Sequence, residues 1–117
     1  MLKNLTKNQI EILQEGFKNE GESSYEFILG NRSDVIISAP HSCSFTKDGK
    51  NMPAECNSGV IAKLLNKYFG YSILCKTKNC GDDANSDEKS DYKNQLATIC
   101  RKYSPIVVLD LHCTTSE

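Results

Sequence analysis

The chain contains no tryptophan, only three prolines and only two histidines, and no stretch approaches the roughly 18 apolar residues that a membrane span requires. Its start, Met1-Leu2-Lys3-Asn4-Leu5-Thr6-Lys7-Asn8, lacks the apolar core of a signal peptide. A cytoplasmic location away from membranes is therefore expected. Neither sign of charge is in excess: 14 basic and 15 acidic residues give a formal net charge of -1. Mixed along the chain, they leave no electrostatic footprint for nucleic acid. Small molecules or peptides are the expected ligands. Cys-x-x-Cys is also missing, which removes the usual zinc-ribbon and redox spacings although six cysteines are present. In the absence of an export signal, Cys43, Cys56, Cys75, Cys80, Cys100 and Cys113 read as reduced thiols.

What remains fits one small domain over 1–117, with 38% hydrophobic and 25% charged residues. Leu5, Ile10, Leu13 and Phe17 recur at helical spacing, which predicts a short N-terminal helix ending by about Asn19. Tyr25 to Leu29 and Val35 to Ser38 are β-prone runs on either side of Gly30-Asn31-Arg32-Ser33-Asp34, a pattern that predicts an antiparallel hairpin. A polar loop from Pro40 to Pro53, with a tight turn at Asp48-Gly49-Lys50-Asn51, precedes a helix expected over Ala54 to Phe69. A strand at Tyr71 to Lys76 follows. The next helix, capped at Ser86 or Asp87 and reaching Tyr103, buries Tyr92, Leu96, Ile99 and Tyr103. Ser104-Pro105 then breaks into Ile106 to Leu111, whose nearly continuous apolar character predicts a central parallel strand covered on both faces. The fold class is α/β, with a mixed, mainly parallel sheet flanked by helices.

The two histidines each follow one of these strand runs. His41 leaves Val35-Ile36-Ile37-Ser38-Ala39-Pro40, and His112 leaves Ile106-Val107-Val108-Leu109-Asp110-Leu111. Ligands of open α/β sheets sit at the carboxyl ends of strands, so the two imidazoles could meet there. Each alone is equally readable as a hydrogen-bonded structural residue. Asp110 shares a strand face with His112 by alternation and could fix its tautomer, or cap a backbone amide instead. Two histidines leave a catalytic zinc one protein ligand short, and Glu55, expected in the first turn of the second helix, is the candidate third. An acid in a first turn also simply complements the helix dipole. Asp82-Asp83-Ala84-Asn85 occupies a loop at the same sheet edge, where Asp83 and Asn85 could hold a ligand or merely bond to their own loop. Cys43 and Cys113 lie beside the histidines, which leaves open a thiol nucleophile with a histidine base.

Taken in order, strand-Pro-His-Ser, a Glu at the next helix, Asp-x-Asn in a loop and strand-Asp-Leu-His make a chain that resembles the N-formylglutamate amidohydrolase family, a branch of the zinc carboxypeptidase-like hydrolases. The resemblance runs from about Val35 to His112. It implies a phosphorylase/hydrolase-like fold and one zinc ion held by His41, Glu55 and His112 with Asp110 in support. It also implies substrate contacts from Asp83 and Asn85, and hydrolysis of an amide bond in an N-acyl amino acid or small peptide. The chain departs from the family at Glu117, five residues after the last implied ligand. Relatives continue with further strands, a catalytic glutamate and basic substrate-holding residues, none of which has a counterpart here. Glu117 itself is a poor base, since terminal residues are rarely held rigidly. A fragment of a larger hydrolase domain, a truncated product or a homo-oligomer is therefore expected. The alternative to an enzyme is a non-catalytic α/β module that binds a metal or ligand.

Overall fold

The computed structural model describes residues 6–18, 22–55 and 57–113. The helix end expected at Asn19, the apolar contribution of Leu5, the reading of Cys56 as a reduced thiol and Glu117 lie outside these. In chain order the elements are α1 (Lys7–Glu15), β1 (Tyr25–Ile28), β2 (Arg32–Ala39), β3 (Phe45–Lys47), β4 (Lys50–Met52), α2 (Ser58–Phe69), β5 (Tyr71–Lys76), α3 (Asp91–Tyr103) and β6 (Val107–Asp110). A four-stranded sheet has the order β1-β5-β2-β6, and β3 and β4 form a separate two-stranded ribbon. The fold is thus α/β with a mixed sheet in which only the β1–β5 pair is antiparallel.

The expected hairpin between the first two strands is absent. β5 lies between them, pairing antiparallel with β1 and parallel with β2. The turn formers at 30–34 instead carry the chain past Gly70, whose carbonyl accepts from Arg32 N–H at 2.9 Å. Space there is so tight that a Cβ on Gly30 would lie 2.1 Å from the Gly70 oxygen. Turn chemistry identified a reversal but not which strand receives it.

Alternation along β2 sends Ile37 to one face and Ile36 to the other. Ile37 joins Ala39, Val60, Ala62, Ile73 and Phe17 beneath α1 and α2. Ile36 joins Leu74, Tyr92 and Ile99 beneath α3. Each helix has local reasons to form. α1 begins with a reciprocal capping box between Thr6 and Gln9, and α3 begins with Ser90 accepting from Lys93 N–H. α2 ends at Gly70, which adopts a left-handed φ of 74°. The cap of α3 is four residues beyond the first residue expected for it, because Asp83, Ser86 and Asp87 bond to one another within the preceding loop.

Within the sequence read as a plain loop, β3 and β4 pair through Phe45↔Met52 and Lys47↔Lys50. Their turn residues Asp48 and Gly49 have φ of 52° and 74°, the positive pair that matches strand twist in a two-residue hairpin. A further correction concerns β6. It lies at the edge of the described sheet and is not central, and Ile106 and Leu109 are 86% and 48% exposed. Among the described residues, no helix is long and apolar enough to cross a membrane.

One buried hydroxyl fixes the exit of β2. Tyr92 Oη donates to Leu74 O at 2.8 Å and accepts from Ala39 N–H at 3.0 Å, which leaves Ser38 Oγ, at 2.8 Å, as a second donor to it. Burial raises the Tyr92 phenol above its ordinary value, so it stays protonated and able to donate. Tyr92→Phe strands the Ala39 amide two residues before His41, and should cost about 1–3 kcal/mol. Urea unfolding should show a lower midpoint at unchanged slope.

Candidate metal centre

β2 and β6 are parallel neighbours with Ser38 opposite Asp110, and Leu111 N–H donates to Ser38 O at 2.8 Å just beyond the paired residues. His41 and His112 therefore leave adjacent strands at the same level. Their ring centroids are 5.3 Å apart, edge to face. Between them stands Glu55. Its backbone N–H donates to His41 O at 3.0 Å, so the excursion through the β3–β4 ribbon closes where it began. This local closure explains how a carboxylate 14 positions from His41 returns to it.

Glu55 was expected inside the first turn of α2, but the helix starts at Ser58 and carries no acidic residue in its first turn. The helix-dipole explanation for this carboxylate therefore does not apply. Its Oε1 lies 2.8 Å from His112 Nδ1 and its Oε2 lies 3.0 Å from His41 Nδ1. Burial alone would raise the Glu55 carboxyl. The two imidazoles, His112 ahead of His41, outweigh that and hold it below its ordinary value.

Asp83 is 2% exposed and places Oδ1 2.6 Å from His41 Nε2. Ser86 Oγ donates to its Oδ2 and Asn85 N–H to its Oδ1, at 2.7 and 2.9 Å. Burial opposes ionisation, but the bonds from His41, then Ser86, then Asn85 pull the carboxyl down to about 2. An ionised carboxylate can only accept, so the proton of neutral His41 is on Nε2 and the lone pair is on Nδ1. That Nδ1 is buried and lacks an aligned hydrogen bond, even with Glu55 Oε2 3.0 Å away. Ligand atoms of His41, Glu55 and His112 lie within 4.8 Å of one another. Zinc bond lengths of about 2.0–2.1 Å imply ligand separations of roughly 3.4 Å, so the widest separation would contract by on the order of 1 Å while the Glu55–imidazole contacts lengthen by about half an ångström.

The carboxylate that supports a histidine is therefore Asp83, assigned from sequence to substrate, and it supports His41. Asp110, assigned to His112, is exposed on β6 and shares a face with Val108, which packs with Tyr92; its charge helps raise the Tyr92 phenol. The Asn85 side chain is exposed, and its backbone amide serves Asp83.

Two contributors escaped the sequence reading. Phe45 stacks on the His41 ring at 3.6 Å and 6°, a contact that only the unexpected β3 strand makes. Lys76, fully buried, lies 3.1–3.2 Å from both carboxylate oxygens of Asp82 and so pins the loop carrying Asp83. A lysine ending an apolar strand ahead of an acidic loop was the available signal.

The thiol alternative fares poorly. Cys113 is disulfide-bonded, a correction to the expectation of six reduced cysteines, and its sulfur is not a free nucleophile. Cys43 is buried, and burial pushes its thiol up to about 11, as it pushes Cys75 up to about 12. At pH 8 iodoacetamide should therefore modify the exposed Cys80 while leaving Cys43 and Cys75 intact. Peptide mass mapping of the native protein checks this, and rapid Cys43 alkylation would reopen the thiol chemistry.

No protein-family model, no curated protein and no solved structure matches the chain.

Proposed function

We propose that the chain holds one zinc ion through His41 Nδ1, Glu55 and His112 Nδ1, and acts as a metal-dependent amidohydrolase on an N-acyl amino acid or small peptide. The observation that carries the reading is the His41 ring. Asp83 accepts from its outer N–H, while its inner nitrogen is buried without an aligned hydrogen bond and faces a carboxylate and a second imidazole. An outer N–H held by a carboxylate, with the inner nitrogen turned towards further donors, is the arrangement of a metal-ligating histidine. Two imidazoles and a glutamate with a position left open are a donor set of catalytic zinc sites.

When bound, such an ion supplies Lewis-acid polarisation of a carbonyl and a water whose pKa falls towards about 7. The chain's own residues set the geometry. Asp83 fixes the His41 tautomer, Phe45 holds the ring plane, and Glu55 bridges both histidines. His41 closes the inner side of the cluster with its side chain 6% exposed, and His112, at 31%, leaves the outer side open to a substrate. Asn85, exposed beside Asp83, is the proposed substrate contact.

A non-catalytic metal-binding module is the second reading, and one observation favours it. Among the described residues, the carboxylates touching the site histidines are Glu55 and Asp83, and both serve those histidines. Neither is spare as a general base. The zinc-loaded chain, assayed for amine release from N-formyl- and N-acyl-amino acids, separates the two. Turnover lost in Glu55→Ala supports the hydrolase, and stoichiometric zinc without turnover supports the module.

A further inference from the structure

We propose that Cys113 positions His112 through its disulfide, so that reduction of this bond loosens the third ligand and weakens the metal site. The inference rests on the metal-site reading above. It starts from an asymmetry between the histidines. His41 is buried, stacked on Phe45 and bonded to Asp83. His112 lies two residues beyond the end of β6, is exposed, and contacts Glu55 and, at a steep angle, the His41 ring. The last sheet hydrogen bond before it is Leu111 N–H to Ser38 O. β6 is an edge strand whose Val107 and Leu109 are exposed, and beyond its end the half-buried Leu111 is the described residue that packs against the core, so this end is held by few contacts.

The residue next to His112 is nevertheless covalently fixed, since Cys113 is disulfide-bonded while Cys43, Cys75, Cys80 and Cys100 are free. Neighbouring Cα atoms are about 3.8 Å apart, so a crosslink at 113 confines the backbone of 112. A cellular dithiol is the matching reductant. Two electrons and two protons pass to the protein, the S–S bond breaks into two thiols, and the dithiol leaves as its own disulfide. His112 then samples positions away from Glu55, and its effective concentration at the site falls.

The test uses the whole chain in three forms: oxidised, reduced with a phosphine that does not itself supply a thiol, and Cys113→Ser. In metal-free protein, amide exchange followed by NMR should accelerate tenfold or more at Leu111 on reduction and in Cys113→Ser, with Ile37 and Ile73 unchanged. Cobalt titration should show a visible band in the oxidised form and at least tenfold weaker binding in the other two. Equal Leu111 exchange and equal cobalt affinity in all three forms would overturn the proposal. So would acceleration spread equally over Ile37 and Ile73, which would mean that the disulfide holds the whole fold. An oxidised protein that takes up no cobalt would refute the metal-site reading alone, because the metal-free exchange data still decide whether Cys113 restrains the strand end.

Discussion

His112→Ala is expected to weaken zinc binding at least about 100-fold while leaving the protein folded. Loss of an outer hydrogen-bond partner typically costs 10- to 100-fold in metal affinity, and removal of a direct ligand should cost more. His112 is exposed and lies beyond the last strand, so its truncation creates no buried cavity. Substitutions of that kind usually shift stability by no more than about 0.5 kcal/mol. Competition titration against a chelator gives the affinity, and urea unfolding of the metal-free protein gives the stability. A variant that loses zinc because it has unfolded would show in the second measurement. Glu55→Ala should produce an equal or larger loss of zinc, since its carboxylate contacts both histidines.

Asp83→Ala should affect both quantities. The carboxylate is buried and satisfies His41 Nε2, Ser86 Oγ and Asn85 N–H, so its removal strands a buried imidazole N–H and frees the loop around it. A stability loss of about 3 kcal/mol is expected, from the penalty for leaving buried donors unpaired. Zinc affinity should fall about 10- to 100-fold because His41 loses the partner that fixes its tautomer. Asp83→Asn keeps an acceptor of the same shape and should recover part of both losses. Asp110→Ala, by contrast, should leave zinc affinity unchanged, because that exposed carboxylate sits on the Tyr92 side of β6. The opposite ranking, with Asp110→Ala the more damaging, would restore the support of His112 read from the sequence.

The contrast between Asp83 and Asp110 shows what could be read from residues alone. His41 and His112 were legible because each ends an apolar run, and strand ends in an α/β sheet share one edge. Glu55 was legible as a candidate but not in its setting. The end of the loop and the start of α2 differ only by where capping occurs, and Asn57 makes no side-chain cap to mark it. The supporting carboxylate could not be found by periodicity, because Asp83 reaches His41 from a loop 42 positions further along the chain. Strand alternation pointed to Asp110, two residues from His112, where the strand had already ended. The misplaced hairpin has a similar origin. Tyr25–Ile28 and Arg32–Ala39 are β-prone and joined by turn residues, but the choice of partner belongs to β5, whose fully buried residues need a strand on both sides.

The most direct measurement of the central claim is X-ray absorption at the zinc edge, made on protein reconstituted with zinc and dialysed to constant metal content. One zinc per chain is expected, with two imidazole nitrogens and a carboxylate oxygen at about 2.0–2.2 Å. Either a chain that retains no zinc after dialysis, or a zinc spectrum unchanged in His112→Ala, would contradict the site.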